Sequence, residues 1–163
     1  MAKASKGTPA VQALERAGIS FTLHEYDFTG APGQIGRLTA EALGMAPERV
    51  FKTLMAVVDE RELVVAIVAV DKELDLKALA KAAQAKRAAM AEVAAAERAT
   101  GYVKGGISPF GQRRRHRTFL DEAAAAQATI IVNGGRRGLQ IEIAAADLLA
   151  VTGGASASIA RAV

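Results

Sequence analysis

The two longest apolar runs of the chain lie next to each other near its middle. Residues 50–58 and 62–70 are hydrophobic on both faces at most positions, and only the polar residues 59–61 separate them. Runs of this length without regular polar alternation indicate strands that are buried on both sides. The pattern therefore predicts an antiparallel strand pair in the middle of the protein.

A second strand pair is predicted around the segment NGGRRG. This segment joins apolar runs at residues 128–132 and 139–143, and Asn-Gly and Gly-Gly steps favour tight hairpin turns. In the second run, strand alternation places Gln140 and Glu142 on one face and the apolar residues on the other. One face of this hairpin is therefore expected to lie in the core.

Amphipathic stretches elsewhere in the chain predict short helices. The first begins at Thr8, a good N-cap residue, has Pro9 in its first turn and ends at Gly18. Further helices are expected at residues 38–43, 75–83, 92–98, 147–151 and 156–161, with a strand at 19–26 and a glycine-rich loop at 28–36.

The order of these elements indicates the fold class. Hairpins alternate with helices, which predicts an α+β fold around a mainly antiparallel sheet or barrel. With 163 residues, 51% of them hydrophobic, the chain is long enough to bury a core. No repeat or long linker interrupts it, so we expect a single domain over residues 1–163, with residues 1–7 disordered.

The composition excludes several kinds of chemistry. The sequence has no cysteine, so thiolate catalysis and thiolate metal sites are excluded, and its two histidines, His24 and His116, lack metal-ligand spacing. No GxSxG elbow or Ser-His-Asp set is evident. No apolar run reaches the roughly 20 residues of a membrane span. We therefore expect a cytoplasmic protein that uses neither a metal nor a cofactor.

The stretch GGISPFGQRRRHR, residues 105–117, combines a glycine-rich turn with a basic cluster. The spacing from Gly106 to Gly111 matches a phosphate-binding loop, but the lysine and the serine or threonine that follow in such a loop are absent. Glycine backbone nevertheless lets N–H groups approach an anion or a carbonyl oxygen closely. The alternative is a tight turn that serves only the fold.

The excess positive charge is local. The formal net charge is +4, and arginines cluster in two loops, at Arg113, Arg114 and Arg115 and at Arg136 and Arg137. Clustered arginines indicate a polyanionic partner such as the phosphates of a nucleic acid. The alternative is a solvated surface run without a partner.

Lys52 is a candidate of another kind, because it stands in an apolar strand. Alternation places it beside Leu54, Ala56 and Val58 on one face. A lysine on such a face must extend to solvent, pair with an acid or serve a pocket. Its position at the start of a buried strand keeps the pocket hypothesis open beside the simpler one of a lysine that reaches solvent.

Five sequence segments, taken together, carry a family resemblance. In order, they are TPAVQALERAGISFTLHEYDF, RVFKTLMAVVD, LDLKALAKA, TGYVKGGISPFGQRRR and GGRRGLQIEIAAADL. They resemble the YbaK family of free-standing aminoacyl-tRNA deacylases, which is related to the editing domain of bacterial prolyl-tRNA synthetase. The resemblance covers nearly the whole chain, and it implies a mixed, barrel-like sheet surrounded by short helices.

The resemblance also implies roles for individual residues. It makes Lys52 the essential lysine and places Tyr26, Ile35 and Thr53 in the substrate pocket. The other pocket positions that it implies are Gly105, Gly106, Ile107, Ser108, Pro109, Asn133 and Gln140.

Three of these positions depart from the family pattern. Ile35 stands where phenylalanine is common, and Asn133 stands where a serine precedes the glycine turn. Gln140 replaces the aspartate of the family pattern GLDIE. The loss of a carboxylate at this position could change which amino acid is removed, or it could mean that the aspartate is not needed for the reaction.

The function that the resemblance implies is hydrolysis of the ester between a wrong amino acid and tRNA, here cysteine on proline tRNA. In this branch the substrate's own thiol attacks its carbonyl, which fits a chain without a nucleophile. The implied partners are the mischarged tRNA, contacted by the two arginine clusters, and prolyl-tRNA synthetase in a ternary complex. Two alternatives stay open: a deacylase for alanine or another small amino acid, and a non-catalytic module that binds tRNA or a synthetase.

Overall fold

The computed structural model of the chain describes residues 7–26 and 35–163. The helices are α1 Pro9–Ala17, α2 Ile35–Leu43, α3 Leu76–Ala82, α4 Val93–Thr100 and α5 Ala145–Thr152. The strands are β1 Thr22–Glu25, β2 Phe51–Val58, β3 Glu62–Ala69, β4 Lys72–Leu74, β5 Ala88–Met90, β6 Arg117–Asp121, β7 Ile130–Asn133, β8 Leu139–Ile143, β9 Ala155–Ala157 and β10 Ala160–Ala162. Two 3-10 turns lie at Pro47–Arg49 and Glu122–Ala126.

The predicted antiparallel pair forms the middle of a five-stranded sheet with the order β5-β2-β3-β6-β9. β2 and β3 pair along their whole length, from Phe51 opposite Ala69 to Val58 opposite Glu62. β6 joins β3 in parallel, and β9 joins β6 in parallel, so the sheet is mixed. The prediction of a central strand pair buried on both faces is confirmed.

The predicted hairpin lies in a second, three-stranded antiparallel sheet with the order β1-β8-β7. Its apolar face, which includes Leu139, Ile141 and Ile143, is fully buried against one face of the β2–β3 pair. A parallel bridge between Val50 and Ile131 brings the two sheets together at the start of β2. The α+β fold with a barrel-like mixed sheet is confirmed, although the sheets do not close into a barrel within the described ranges.

The other face of the β2–β3 pair packs on helix α3 and on the end of the chain. Val64 and Val68 of β3 contact a cluster that includes Leu79 of α3 and Ile159, all of which are buried. Helix α3 begins where Asp75 accepts a hydrogen bond from the N–H of Ala78 at 3.0 Å. The two apolar faces explain why β2 and β3 have no polar alternation in the sequence.

The prediction of a helix at residues 156–161 is wrong. This segment forms β9 and β10, and β10 pairs antiparallel with β4. The carboxylate of Asp121 accepts hydrogen bonds from the N–H groups of Ile159 and Ala160, both at 3.0 Å. Alanine favours helices in isolation, but here long-range strand pairing and the burial of Ile159 override that preference.

Two other predictions fall partly outside the described residues. Helix α2 begins at Ile35 rather than at residue 38, so the last two residues of the predicted loop at 28–36 belong to the helix. Residues 28–34 of that loop are not described. Of the segment 1–7, which we expected to be disordered, only Gly7 is described.

Candidate active site

A cavity opens beside the first half of β2. Its volume is about 310 Å³, a size that suits a small-molecule site. The cavity exists because β5 pairs only with Ala56, Val57 and Val58, the last residues of β2. On the side away from β3, the edge of β2 at Thr53 therefore lacks a neighbouring strand in the described structure. Helix α4, β7 and the glycine-rich loop at residues 105–111 close the other walls.

The walls of this cavity are mostly apolar and carry a few polar side chains. The polar side chains in the lining belong to Thr39, Lys52, Thr53, Lys104, Asn133 and Gln140. Apolar walls with a small number of placed polar groups are typical of ligand-binding sites.

Lys52 lines the cavity, and its ammonium group is half-buried. Burial lowers the pKa of this group, and the carboxylates of Glu73 and Asp71 oppose the shift. These two carboxylates lie closer to other cations, at 3.9 Å from Arg161 and 4.0 Å from Lys72 respectively. The Lys52 ammonium therefore has no ion-pair partner among the residues that the structure describes.

Thr53 carries a buried hydroxyl group that is not satisfied. Its Oγ1 atom is shielded from solvent and has no hydrogen-bond partner among the described residues, although the residue lines the cavity. An unpaired buried polar group costs about 1–3 kcal/mol. A ligand group that bonds to this hydroxyl would recover that energy, which makes Thr53 a candidate ligand contact.

Gln140 brings an amide group to the cavity from β8. The residue is only 3% exposed and lies opposite His24 of β1 and Asn133 of β7. The residue lines the cavity, and its side chain makes no hydrogen bond with another described residue. Position 140, where the resemblance places a family aspartate, is therefore at the cavity wall.

Glu142 lies on the same face of β8 as Gln140 but has a full set of partners. Its carboxylate accepts hydrogen bonds from Thr129 Oγ1 at 2.6 Å, His24 Nε2 at 2.8 Å and Arg49 Nη2 at 3.1 Å. These donors, Thr129 first, lower the pKa of the Glu142 carboxyl. Arg49 lies two residues before the start of β2. Its contact with Glu142 therefore helps to fix the position of β2, the strand that carries Lys52.

The glycine-rich loop packs tightly against the turn of the β7–β8 hairpin. A Cβ atom at Gly106 would lie 2.9 Å from the Cα atom of Arg136, so a side chain at this position would displace backbone. Asn133 ties the two segments together, because its Nδ2 donates to Gly105 O at 3.3 Å and to Arg136 O at 3.2 Å. Its Oδ1 accepts from the N–H of Gly135 at 2.6 Å.

The structure divides the predicted loop residues into two groups. Gly105 and Ile107 line the cavity, whereas the N–H of Gly106 donates to Val103 O at 2.8 Å. Ser108 is fully buried, and its Oγ accepts a hydrogen bond from the loop's own backbone. Pro109 lines a different groove on the far side of the loop.

Tyr26 reaches the cavity only indirectly. Its hydroxyl is hydrogen-bonded to the hydroxyl of Thr39, which lines the cavity. Ile35 begins α2, and its side chain lies outside the described part of the structure.

Sequence reasoning missed most of the apolar lining of the cavity and also Thr39, Lys104 and Met90. Lys104 directly precedes Gly105, so its place in the segment GYVKGG was a usable signal. Thr39 and Met90 come from elements whose position depends on long-range packing, and no local pattern in the sequence points to them.

Comparison with known proteins identifies the family. Residues 37–151 match the family described as the aminoacyl-tRNA editing domain. The chain belongs to this family. The predicted relationship to aminoacyl-tRNA deacylases is thereby confirmed.

Individual relatives agree with this editing-domain assignment. A protein of Enterococcus faecalis named as the Cys-tRNA(Pro)/Cys-tRNA(Cys) deacylase EbsC is 37% identical over 158 residues, which cover 96% of this chain and 95% of that protein. A solved structure described as a trans-editing enzyme for prolyl-tRNA synthetase matches with a TM-score of 0.81 at 22% identity, covering 94% of this chain and 95% of the other. A scaffold protein used for epitope grafting matches with a TM-score of 0.83 at 21% identity, covering 95% and 96%. These two structures show the shared fold.

In this editing domain, Arg113 and Arg115 both contact the ends of helices. Arg113 Nη1 donates to Arg98 O in the last turn of α4, and Arg115 Nη2 donates to Thr152 O at the end of α5, both at 3.3 Å. Cations stabilise a helix C-terminus because they complement the helix dipole. Both side chains thus have structural contacts.

The second arginine cluster supports the loop beside the cavity. Arg136 Nη2 lies 2.6 Å from Glu25 Oε2, and Arg137 Nη2 donates to Lys104 O at 3.1 Å. Of the five predicted tRNA-binding arginines, only Arg114 has a side chain that makes no hydrogen bond or ion pair with a described residue.

Two other sequence expectations concern metals and membranes. In residues 7–26 and 35–163, no group of three or more histidine, cysteine, aspartate or glutamate side chains is arranged to hold a metal ion. No helix in the same ranges is long and apolar enough to cross a membrane.

Proposed function

We propose that the chain is a trans-editing deacylase whose main substrate is Cys-tRNA(Pro). The observation that carries this proposal is the set of uncommitted polar groups, on Lys52, Thr53 and Gln140, in a mostly apolar cavity of about 310 Å³. A single aminoacyl ester on a terminal ribose is small enough for such a cavity. The 37% identity to a protein named as a Cys-tRNA(Pro) deacylase supports the choice of cysteine.

Lys52 is the group that we expect to act on the ester. Its ammonium stands in apolar surroundings, where a charge interacts more strongly with a nearby dipole than it does in water. The carbonyl oxygen of an ester gains negative charge as the carbonyl carbon is attacked. An ammonium held beside that oxygen stabilises the transition state more than the ground state.

The glycine-rich loop would supply further donors to the same oxygen. The N–H of Gly106 already donates to Val103 O, so it is not the donor. The neighbouring N–H groups of Gly105 and Ile107 belong to residues that line the cavity. The tie between Asn133 and Gly105 would hold this backbone in place during the reaction.

The nucleophile in this proposal is the substrate's own thiol. Its sulfur attacks the carbonyl carbon, the ester C–O bond breaks, and the proton of the thiol passes to the departing ribose hydroxyl. The product is a strained thiolactone that water opens to cysteine. This route fits a described cavity lining that contains no serine, histidine or cysteine. Discrimination then depends on the thiol, because pocket size alone separates similar side chains poorly.

The tRNA and the synthetase complete the proposal. Arginines near the cavity, on both loops, would contact backbone phosphates, and such contacts do not read sequence. The specificity for proline tRNA would come from prolyl-tRNA synthetase in a ternary complex. Addition of the synthetase should then raise the rate on Cys-tRNA(Pro) without changing which ester is cleaved.

The test is hydrolysis of a matched panel of charged tRNAs by the wild-type protein, with and without prolyl-tRNA synthetase. The panel is Cys-tRNA(Pro), Ser-tRNA(Pro), Ala-tRNA(Pro), Pro-tRNA(Pro) and Ser-tRNA(Ala). Serine differs from cysteine only by oxygen in place of sulfur, so rapid loss of the cysteine ester alone supports attack by the thiol.

Other outcomes of the panel contradict the proposal in different ways. Preferred loss of the alanine ester would reassign the enzyme to small amino acids without a thiol. Equal loss of the cysteine and serine esters would reject the thiol mechanism. No hydrolysis of any ester, even with the synthetase, would leave a non-catalytic binding module as the better account.

A further inference from the structure

We propose that a second groove of this protein binds a backbone phosphate of the tRNA whose ester end occupies the cavity. The groove has a volume of about 450 Å³ and lies between the end of α1, the segment after the glycine-rich loop and the end of α5. Its basic lining residues are Arg16, Arg114, Arg115 and His116. The identity of the ligand rests on the proposed function.

The arginine side chains in this groove keep most of their hydrogen-bond donors unused by the described residues. Arg16 and Arg114 are exposed, and their side chains make no hydrogen bond or ion pair with any described residue. Arg115 uses one N–H to hold Thr152 O, and a guanidinium group has five such donors. No acidic side chain from the described ranges lines the groove. Guanidinium groups without competing carboxylates are well suited to a phosphate.

Two side chains in contact, Gln112 and Met55, separate the groove from the cavity. Gln112 lines the groove, and its Nε2 lies 3.9 Å from Met55 Sδ, while Met55 lines the cavity. The same amide donates to Ser108 O at 3.0 Å, on the glycine-rich loop. The groove therefore lies next to the cavity within the fold.

The structure separates the basic run of the sequence into two parts. Arg113 contacts helix α4, and Arg117 pairs with Glu62 at 2.8 Å, so neither faces the groove. Arg114 and Arg115 face it and are joined by Arg16, which is remote in sequence. The phosphate site is thus composed of residues that no contiguous motif would group.

The experiment measures binding of deacylated tRNA over a salt series to Arg16→Ala, Arg114→Ala and the double variant. Loss of one phosphate contact should weaken binding several-fold and lower the slope of log affinity against log salt by about 1. The matched control is Lys81→Ala, which removes one positive charge from the exposed last turn of α3, the helix that packs on the other face of the β2–β3 pair. Thermal melting checks that each variant is folded.

The outcomes separate this inference from the proposed function, because deacylated tRNA can be bound without hydrolysis. Weaker binding and a lower slope in the groove variants, but not in Lys81→Ala, support the inference even if the wild type cleaves no ester. Equal behaviour of groove and control variants overturns it. A competition with inorganic phosphate and with an RNA stem completes the test. If inorganic phosphate displaces tRNA as effectively as the RNA stem does, the groove is a site for small free phosphate, which would also overturn the inference.

Discussion

The cavity beside β2 and the arginine-rich segment after the glycine-rich loop use polar side chains in opposite ways. In the arginine segment, Arg113 and Arg115 donate to carbonyl groups at helix ends, and Arg117 forms a two-point pair with Glu62. In the cavity, Thr53 Oγ1 is buried without any partner among the described residues. The arginine segment thus has mostly structural contacts, while the cavity keeps the side-chain polar groups of Lys52, Thr53 and Gln140 without partners among the described residues.

The difference lies in what each group loses when it has no partner. An exposed arginine remains solvated, so its contacts with the protein contribute little to stability. A buried hydroxyl without a partner costs about 1–3 kcal/mol, so the fold gains nothing from it. A group that the fold neither needs nor satisfies is a better indicator of a ligand than a run of charges is.

The substitution Thr53→Val tests the contrast between the cavity and the arginine segment most strongly. The substitution removes the unpaired hydroxyl and keeps the shape, so we expect equal or higher thermal stability. If the hydroxyl bonds to the substrate, single-turnover hydrolysis of Cys-tRNA(Pro) should fall about 10-fold or more, since 1.4 kcal/mol corresponds to a factor of 10. Melting temperature and single-turnover rate are measured on the same preparation.

Thr53→Ser is the matched control, because it keeps the hydroxyl and loses only a methyl group. It should retain most of the rate. A Thr53→Val variant that loses stability and keeps its rate would show that the hydroxyl stabilises the fold. The contrast between the cavity and the arginine segment would then be wrong for Thr53.

Glu142→Gln tests a polar group that has all its partners. It should lower the free energy of unfolding by about 1–2 kcal/mol near neutral pH, because charge-assisted hydrogen bonds from Thr129, His24 and Arg49 are weakened. The folded-state pKa of Glu142 lies below the ordinary value of 4.5. Its contribution is therefore present above that ordinary value and is lost as the pH falls through the folded-state pKa.

Urea unfolding of the wild type and Glu142→Gln at neutral and at acid pH measures this effect. The difference between the two proteins should shrink in acid. A difference that stays constant with pH would show that shape, and not the carboxylate charge, accounts for the role of Glu142.

The smallest expected effect is a difference in thermal stability between variants of two neighbouring arginines, Arg113 and Arg114. Arg113→Ala removes a cation from the C-terminus of α4 and should cost about 0.3–1 kcal/mol of stability. Arg114→Ala removes a side chain without a described partner and should cost less. Thermal melting of both variants gives the order directly, and the reverse order would show that Arg114 has a structural contact that the described residues do not account for.

The parts of the fold that the sequence predicted are those with a strong local pattern. β2 and β3 are apolar on both faces, and β7 and β8 flank a glycine turn, so their pairing followed from neighbouring residues. The segment of β9 and β10 is rich in alanine, which favours a helix in isolation. Only its pairing with β6 and β4 decides its conformation.

The candidate site likewise contains residues that the sequence indicated and residues that it did not. Lys52 stood out as a cation on an apolar strand, and the family resemblance placed Thr53 and Gln140 beside it. Thr39 and Met90 reach the cavity through packing between distant elements, which one sequence does not reveal. That Thr53 lacks a partner is a property of the folded chain, and no local pattern contains it.

The single-turnover hydrolysis of Cys-tRNA(Pro) by Lys52→Ala, beside Lys81→Ala, tests the central claim most directly. Lys81 is an exposed lysine in the last turn of α3, so its loss removes the same charge away from the cavity. The account predicts that Lys52→Ala melts no lower than the wild type, because it loses a half-buried, unpaired ammonium, and that its rate falls about 100-fold or more. Lys81→Ala should keep the wild-type rate. A folded Lys52→Ala variant with an unchanged rate would contradict the account.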